Sequence, residues 1–192
     1  MVDREKATEQ VYQPAEDSHL LAETTAEQVA NLEADARVVD VGTGSGYVAA
    51  TVAEATGVDV LGVDISPLAV REARDHGVTA VRSNLLDGLA GPFDAVTFNP
   101  PYLPTDPDAE WDDWMEYALS GGPDGRRAID PFLDDLPRVL APAGRGFLLV
   151  SSLTDVEAVS ERAAANGLAT RELAEESFPF ERLVVLELTH AE

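Results

Sequence analysis

Two short stretches of the chain combine residue types and spacing that could do chemistry. The first is Asp40-Val41-Gly42-Thr43-Gly44-Ser45-Gly46, which lies between a β-prone apolar run and a helical one. Glycines at such a junction let the backbone turn tightly and approach a ligand with no Cβ in the way. A dinucleotide fingerprint requires a further glycine at position 47, and this chain carries Tyr47 there. The spacing instead suits a ligand without a pyrophosphate, such as S-adenosylmethionine. Asp64 closes the next β-prone run, 18 residues past Gly46, with Ile65 beside it. A carboxylate at that point can accept both hydroxyls of a ribose. Asn84 follows a third such run; its amide could accept from an exocyclic amine and donate to a ring nitrogen of adenine, or simply serve the turn before Leu85.

The second stretch is Asn99-Pro100-Pro101-Tyr102. Two consecutive prolines stop a strand and hold the backbone extended, so the Pro100 carbonyl is aimed rather than free to move. With the Asn99 side-chain oxygen it makes two acceptors suited to a planar NH2 group. Accepting both hydrogens directs the nitrogen lone pair at an electrophile, a gain in orientation and electrostatics rather than acid–base chemistry. Tyr102 would cover the planar group by stacking. A bare tetrapeptide of this kind could also be a polyproline-like turn. At the carboxyl end of a central strand, where α/β sheets bind ligands, the functional reading is favoured.

These stretches must be held by a scaffold, and the chain alternates short β-rich runs with helical ones. Strands are expected at 37–41, 58–65, 78–83, 93–98, 146–151, 168–175 and 183–189, and helices at 15–32, 47–55, from Pro67, 128–140 and 154–166. That alternation predicts an α/β, doubly wound, mostly parallel seven-stranded sheet whose last strand is antiparallel, in a Rossmann-like arrangement. Residues 100–125 read as loop, and hold Trp111 and Trp114, which would anchor that loop or stack on a substrate. One domain spanning 1–192, with 1–11 as a flexible lead, is the expected organisation.

Composition narrows the classes. The 192 residues are 45% hydrophobic, enough for a core, and include no run long and apolar enough to span a membrane. Residues 1–10 are polar and of mixed charge, unlike a secretory leader, so a cytoplasmic location is expected. Without cysteine there is no thiolate nucleophile and no Cys-based zinc site, and His19, His76 and His190 are too scattered to suggest ligands, so no metal is expected. Thirteen basic residues against 36 acidic give a net charge of −23, with Lys6 the sole lysine. An acidic face could serve a basic partner; acids dispersed this evenly, with lysine nearly absent, favour a protein kept soluble in concentrated salt.

From Val11 onward the chain resembles the HemK-type branch of class I S-adenosylmethionine-dependent methyltransferases, in the short archaeal and eukaryotic form that modifies class 1 translation release factors. The resemblance rests on Val11-Tyr12-Gln13-Pro14-Ala15-Glu16-Asp17-Ser18, the glycine loop, Asp64, Ser83-Asn84-Leu85, Asn99 to Tyr102, and Gly121-Gly122-Pro123-Asp124-Gly125-Arg126. It implies that Pro14, Glu16, Asp17 and Ser18 fold over S-adenosylmethionine and that Asp40, Gly42, Gly44, Gly46, Asp64, Ile65, Asn84, Leu85 and Asn99 contact it, leaving S-adenosylhomocysteine as product. By itself Asp17 or Ser18 reads as a helix N-cap. Asp40 stands where relatives often carry glutamate, and Asn84 where they usually carry aspartate. The implied reaction is methylation of the glutamine amide in a Gly-Gly-Gln loop. An adenine-N6 nucleic-acid methyltransferase would use the same Asn-Pro-Pro-Tyr element but ordinarily needs a basic groove, so direct nucleic-acid binding is not expected here. A methyltransferase-fold scaffold without catalysis is a third reading, opposed by the intact motifs. Arg126 could clamp a substrate backbone or pair with a neighbouring acid. The run 78–83 is β-prone, with no proline and one charge, and is expected at a sheet edge that could take up another strand. The resemblance implies the partner: a small zinc-binding methyltransferase activator, giving a heterodimer.

Overall fold

The structure is a computed structural model and describes residues 11–105 and 114–191. The expected lead, apart from Val11, and Trp111 lie outside the described residues. In chain order the elements are α1 (Glu16–Val29), β1 (Val38–Val41), α2 (Tyr47–Thr56), β2 (Val60–Asp64), α3 (Pro67–Asp75), β3 (Thr79–Arg82), β4 (Phe93–Phe98), α4 (Trp114–Leu119), α5 (Ile129–Val139), β5 (Leu140–Ser151), a 3₁₀ turn (Ser152–Thr154), α6 (Val156–Ala165), β6 (Leu168–Phe178) and β7 (Glu181–His190). The seven strands run in the order β3-β2-β1-β4-β5-β7-β6. The pairs from β3 to β5 are parallel, whereas β7 inserts antiparallel between β5 and β6.

Side-chain alternation explains the double winding. Along β5, Phe147 and Leu149 join one core cluster while Leu148 and Val150 join the other, and β7 divides Leu183 and Val185 from Val184 and Leu186 in the same way. One face is covered by α1, α2 and α3 through Leu21, Val29, Val52 and Val70; the other by α5 and α6 through Phe132, Leu136 and Val159. Strands buried on both faces read as continuous apolar runs, which is why they were visible in the sequence.

Three local departures have physical causes. β5 begins at Leu140 rather than 146, because Leu140 pairs with Phe93 and the ladder resumes at Ala95 after an irregularity, carrying the strand past Pro142 and Gly144. The last helix starts at Val156, capped by the Asp155 carboxylate accepting from the Ala158 N–H, after the separate 3₁₀ turn. The loop-rich stretch contains a short helix, α4, and a bridge between Leu103 and Ser120. As expected, Pro67 opens α3, behind a Ser66 cap that accepts from the Leu68 and Ala69 N–H groups. Among the described residues no helix is long and apolar enough to cross a membrane.

Candidate functional site

The neighbours β2, β1 and β4 end side by side, so their carboxyl termini bring Asp64, Gly42 and Asn99 to one cleft. The turn after β1 is built by left-handed backbone at Gly42, Gly44 and Gly46, with φ of +63°, +54° and +86°. That region is open to glycine at little cost. The Asp64 carboxylate staples the turn in place: one oxygen accepts from the Gly44 N–H at 3.0 Å and the other from the Ser66 N–H at 2.8 Å. Burial raises its pKa, against the pull of those N–H donors.

The cleft is a cavity of about 320 Å3, lined by Pro14, Ser18, Asp40, Gly42, Gly44, Asp64, Ile65, Asn84, Leu85, Asn99 and Pro101 among the residues singled out in the sequence. Five others lie off its wall. Glu16 is exposed. Asp17 is buried behind Ser18, accepting from its N–H at 2.6 Å and from the Tyr12 hydroxyl at 3.1 Å. Gly46 faces the protein: a Cβ there would lie 3.0 Å from Val78 Cγ2 and 3.1 Å from Ala73 Cβ, so this glycine permits close helix packing. Pro100 is buried. Tyr102 packs against the core cluster beneath α1 to α3. The N-cap of α1 is Ala15, without a side-chain bond, so Asp17 and Ser18 belong to the first turn instead of capping it.

Asn99 is the chemically distinctive residue. Its Nδ2 donates to Ser18 Oγ at 3.3 Å, whereas its Oδ1 is buried and has no hydrogen-bond partner. Leaving such an acceptor unpaired costs about 1–3 kcal/mol. Asn99 also lines the cleft, which puts this unpaired acceptor beside the site. Close by, the Tyr102 hydroxyl is driven to a higher pKa by burial and then by the Asp17 and Glu181 carboxylates, and stays protonated.

Several wall residues were not foreseen. Tyr12 arrives from the segment before α1, Thr43 from inside the glycine turn, and Ser120 and Arg127 from the stretch that looks featureless in sequence. Arg127 donates to the Ser120 carbonyl at 2.9 Å. Its neighbour Arg126 is spent on the protein, with one nitrogen on Asp124 at 2.9 Å and another on the Thr154 carbonyl at 2.7 Å. Trp114 opens α4.

Asp40 lies beneath the turn, accepting from the Thr97 hydroxyl at 2.6 Å and the Thr43 hydroxyl at 2.7 Å. Burial pushes its pKa from 3.8 up to about 6, with the two hydroxyls opposing. Folded protein thus holds this proton at pH values where the unfolded chain has lost it. The stability it contributes is complete below about pH 4 and is lost as pH rises through 6. In urea titrations from pH 4 to 7, Asp40→Asn is expected to gain about 2–3 kcal/mol relative to the parent protein over that window. Parallel stability curves for the two proteins would contradict the assignment.

The sheet order, with β7 antiparallel beside β5, and the cleft at the strand ends define a class I methyltransferase architecture. The sequence matches the methyltransferase small domain family over residues 15–110. A Methanocaldococcus jannaschii protein assigned as a protein N5-glutamine methyltransferase is 34% identical over 183 residues, covering 92% of this chain and 90% of that one. The human methyltransferase HEMK2 is 31% identical over 191 residues, covering 93% and 89%. Among solved structures, the E. cuniculi Mtq2–Trm112 complex, responsible for methylation of the eRF1 translation termination factor, superposes with a TM-score of 0.76 at 28% identity, covering 94% of this chain and 98% of that one. The chain belongs to the methyltransferase small domain family, in the group that contains HEMK2.

Proposed function

We propose that this protein methylates the side-chain amide of the glutamine in the Gly-Gly-Gln loop of a translation release factor, with S-adenosylmethionine as donor. The observation that carries the reading is the unpaired, buried Oδ1 of Asn99 on the cleft wall. The donor, when bound, supplies an electrophilic methyl group. The lining fits such a donor: Asp64 would offer carboxylate lone pairs to its ribose hydroxyls, Asn84 and Leu85 would contact its adenine, and Pro14, Ser18, Asp40, Gly42 and Gly44 would line the remainder of the cleft around it. A primary amide is a poor nucleophile because its lone pair is delocalised into the carbonyl. Asn99 Oδ1 and the Pro100 carbonyl would accept its two hydrogens, concentrating the pair on nitrogen and holding it towards the donor. The relatives' names, N5-glutamine methyltransferase and the Mtq2 complex that methylates eRF1, support glutamine as acceptor. Mass spectrometry of the release factor from a strain lacking this gene tests the reading: an unmodified glutamine is expected, and loss of adenine methylation from DNA with the glutamine unchanged would overturn it.

The same proposal includes one methyltransferase domain over the whole chain, working in a salt-rich cytoplasm beside a small zinc-binding activator. β3 is an edge strand of the sheet, where Arg74 Nε donates to the Ala80 carbonyl at 2.8 Å, and its sequence supports that partner. Thr79, Val81 and Arg82 are exposed there, and Arg82 is its sole charge. The opposite edge strand, β6, is guarded by Arg171, Glu172, Glu175 and Glu176. An activator adding a strand to β3 would give a heterodimer, and the similar Mtq2 is itself found in complex with Trm112. Co-expression followed by gel filtration should give a complex that Thr79→Lys weakens and Val81→Pro abolishes. A soluble, fully active monomer without any partner would refute the heterodimer.

A further inference from the structure

The two ends of a side-chain amide are nearly equal in size, so the shape of a pocket does not choose between them; hydrogen-bond partners do. The choice matters at Asn99, because only its oxygen can accept from an incoming NH2 group. Among the described residues the Asn99 side chain has one hydrogen-bond partner, the Ser18 hydroxyl, 81 residues away in sequence. A hydroxyl alone is indifferent: it can accept from the amide nitrogen, or turn and donate to the amide oxygen. The group that takes the Ser18 hydrogen therefore sets which end of Asn99 faces Ser18.

Asp17 takes it. Its Oδ1 accepts from Ser18 Oγ at 3.2 Å and from the Ser18 N–H at 2.6 Å, while the Tyr12 hydroxyl approaches Oδ1 at 3.2 Å and Oδ2 at 3.1 Å. Among the described residues, every hydrogen bond of the Asp17 side chain is one that it accepts. Tyr12 keeps its hydrogen, since burial and then the Asp17 charge raise its pKa. With its single hydrogen on Asp17, Ser18 Oγ presents only lone pairs to Asn99, and the amide nitrogen must face it. A flipped amide would set oxygen against oxygen. Asp17 and Ser18 are 5% and 6% exposed, so water has little room to replace either.

This order of donors runs from Tyr12, before α1, to the corner after β4, and leaves Asn99 Oδ1 as the buried acceptor without a donor. Without Asp17 the Ser18 hydroxyl is free to turn. The flipped amide then gains, because its oxygen acquires the donor it lacks. A carboxylate in the first turn of α1 also favours the helix through the macrodipole, a role that Glu16 shares. That role needs charge; orienting Asn99 needs an oxygen beside Ser18. Asparagine at position 17 separates the two, since it keeps an oxygen and drops the charge.

We infer that Asp17 and Ser18 are positioning residues that fix the polarity of the Asn99 amide, turning its oxygen towards the NH2 group of the substrate. The inference rests on the role proposed above for Asn99. The test measures turnover of the intact release factor at saturating donor, each protein with its activator. Asp17→Ala should lower kcat about tenfold, with the dissociation constant of S-adenosylmethionine within about threefold of the parent, and Asp17→Asn should restore most of the loss. Ser18→Ala and Ser18→Thr should repeat the contrast, and carry the test if Asp17→Ala does not fold. Parental kcat in folded Asp17→Ala or in Ser18→Ala would overturn the inference. An equal loss in Asp17→Ala and Asp17→Asn would assign Asp17 to helix charge and overturn it as well. A parent protein that leaves the glutamine unmethylated would overturn the proposed reaction instead, and the polarity is then read without substrate. Exchange of the Asn99 side-chain NH2 hydrogens with water is followed by nitrogen-15 NMR, the signals being identified by their loss in Asn99→Ala. Exchange about tenfold faster in Asp17→Ala or Ser18→Ala supports the inference, and the parental rate overturns it.

Discussion

Replacing Asn99 by alanine is expected to cut turnover about 100- to 1000-fold while donor affinity stays within a few-fold. Among the described residues of the cleft wall, this side chain offers the one buried oxygen that lacks a donor, and its amide nitrogen leans on Ser18 at 3.3 Å. Alanine removes the acceptor and leaves the Asp64 end of the cleft untouched. The loss should therefore appear in kcat, with calorimetry of donor binding nearly unchanged. Turnover within a few-fold of the parent would show that Asn99 does not orient the amide.

The second large effect belongs to Asp64. Its two oxygens hold the Gly44 and Ser66 N–H groups while facing the cleft. In Asp64→Ala both N–H groups lose their partner and the ribose loses its acceptors. Donor affinity is expected to fall about 100-fold, close to 3 kcal/mol. Asp64→Asn can accept with one atom only and should lie between. Calorimetric titration with S-adenosylmethionine reads both variants directly; a dissociation constant for Asp64→Ala within threefold of the parent would remove Asp64 from the donor site.

Asn99 and the glycine turn that Asp64 holds were legible in the sequence because backbone chemistry makes them so. Consecutive prolines after a β-run can only end a strand, and closely spaced glycines after another can only make a tight turn, so Asn99 and the Gly42–Gly44 turn reach the carboxyl edge of the sheet. Gly46 was legible as glycine but not for its reason: its missing Cβ makes room for Ala73 and Val78. Contributions that depend on tertiary return of the chain were hidden. Ser120 and Arg127 reach the cleft because Leu103 bridges to Ser120, a pairing across a loop with no periodic pattern. The early start of β5 was masked by Pro142 and Gly144, which read as a break yet lie within a strand that pairs with β4 at both ends.

The central claim is glutamine methylation, and one reconstitution tests it most directly. The protein, co-purified with its activator, is incubated in high salt with isotopically labelled S-adenosylmethionine and the release factor, and tryptic peptides are read by mass spectrometry. Methylation of the glutamine in the Gly-Gly-Gln loop is predicted, with no label on a factor whose glutamine is replaced by alanine and none from the Asn99→Ala protein. Label appearing on another residue, or persisting when that glutamine is gone, would contradict it.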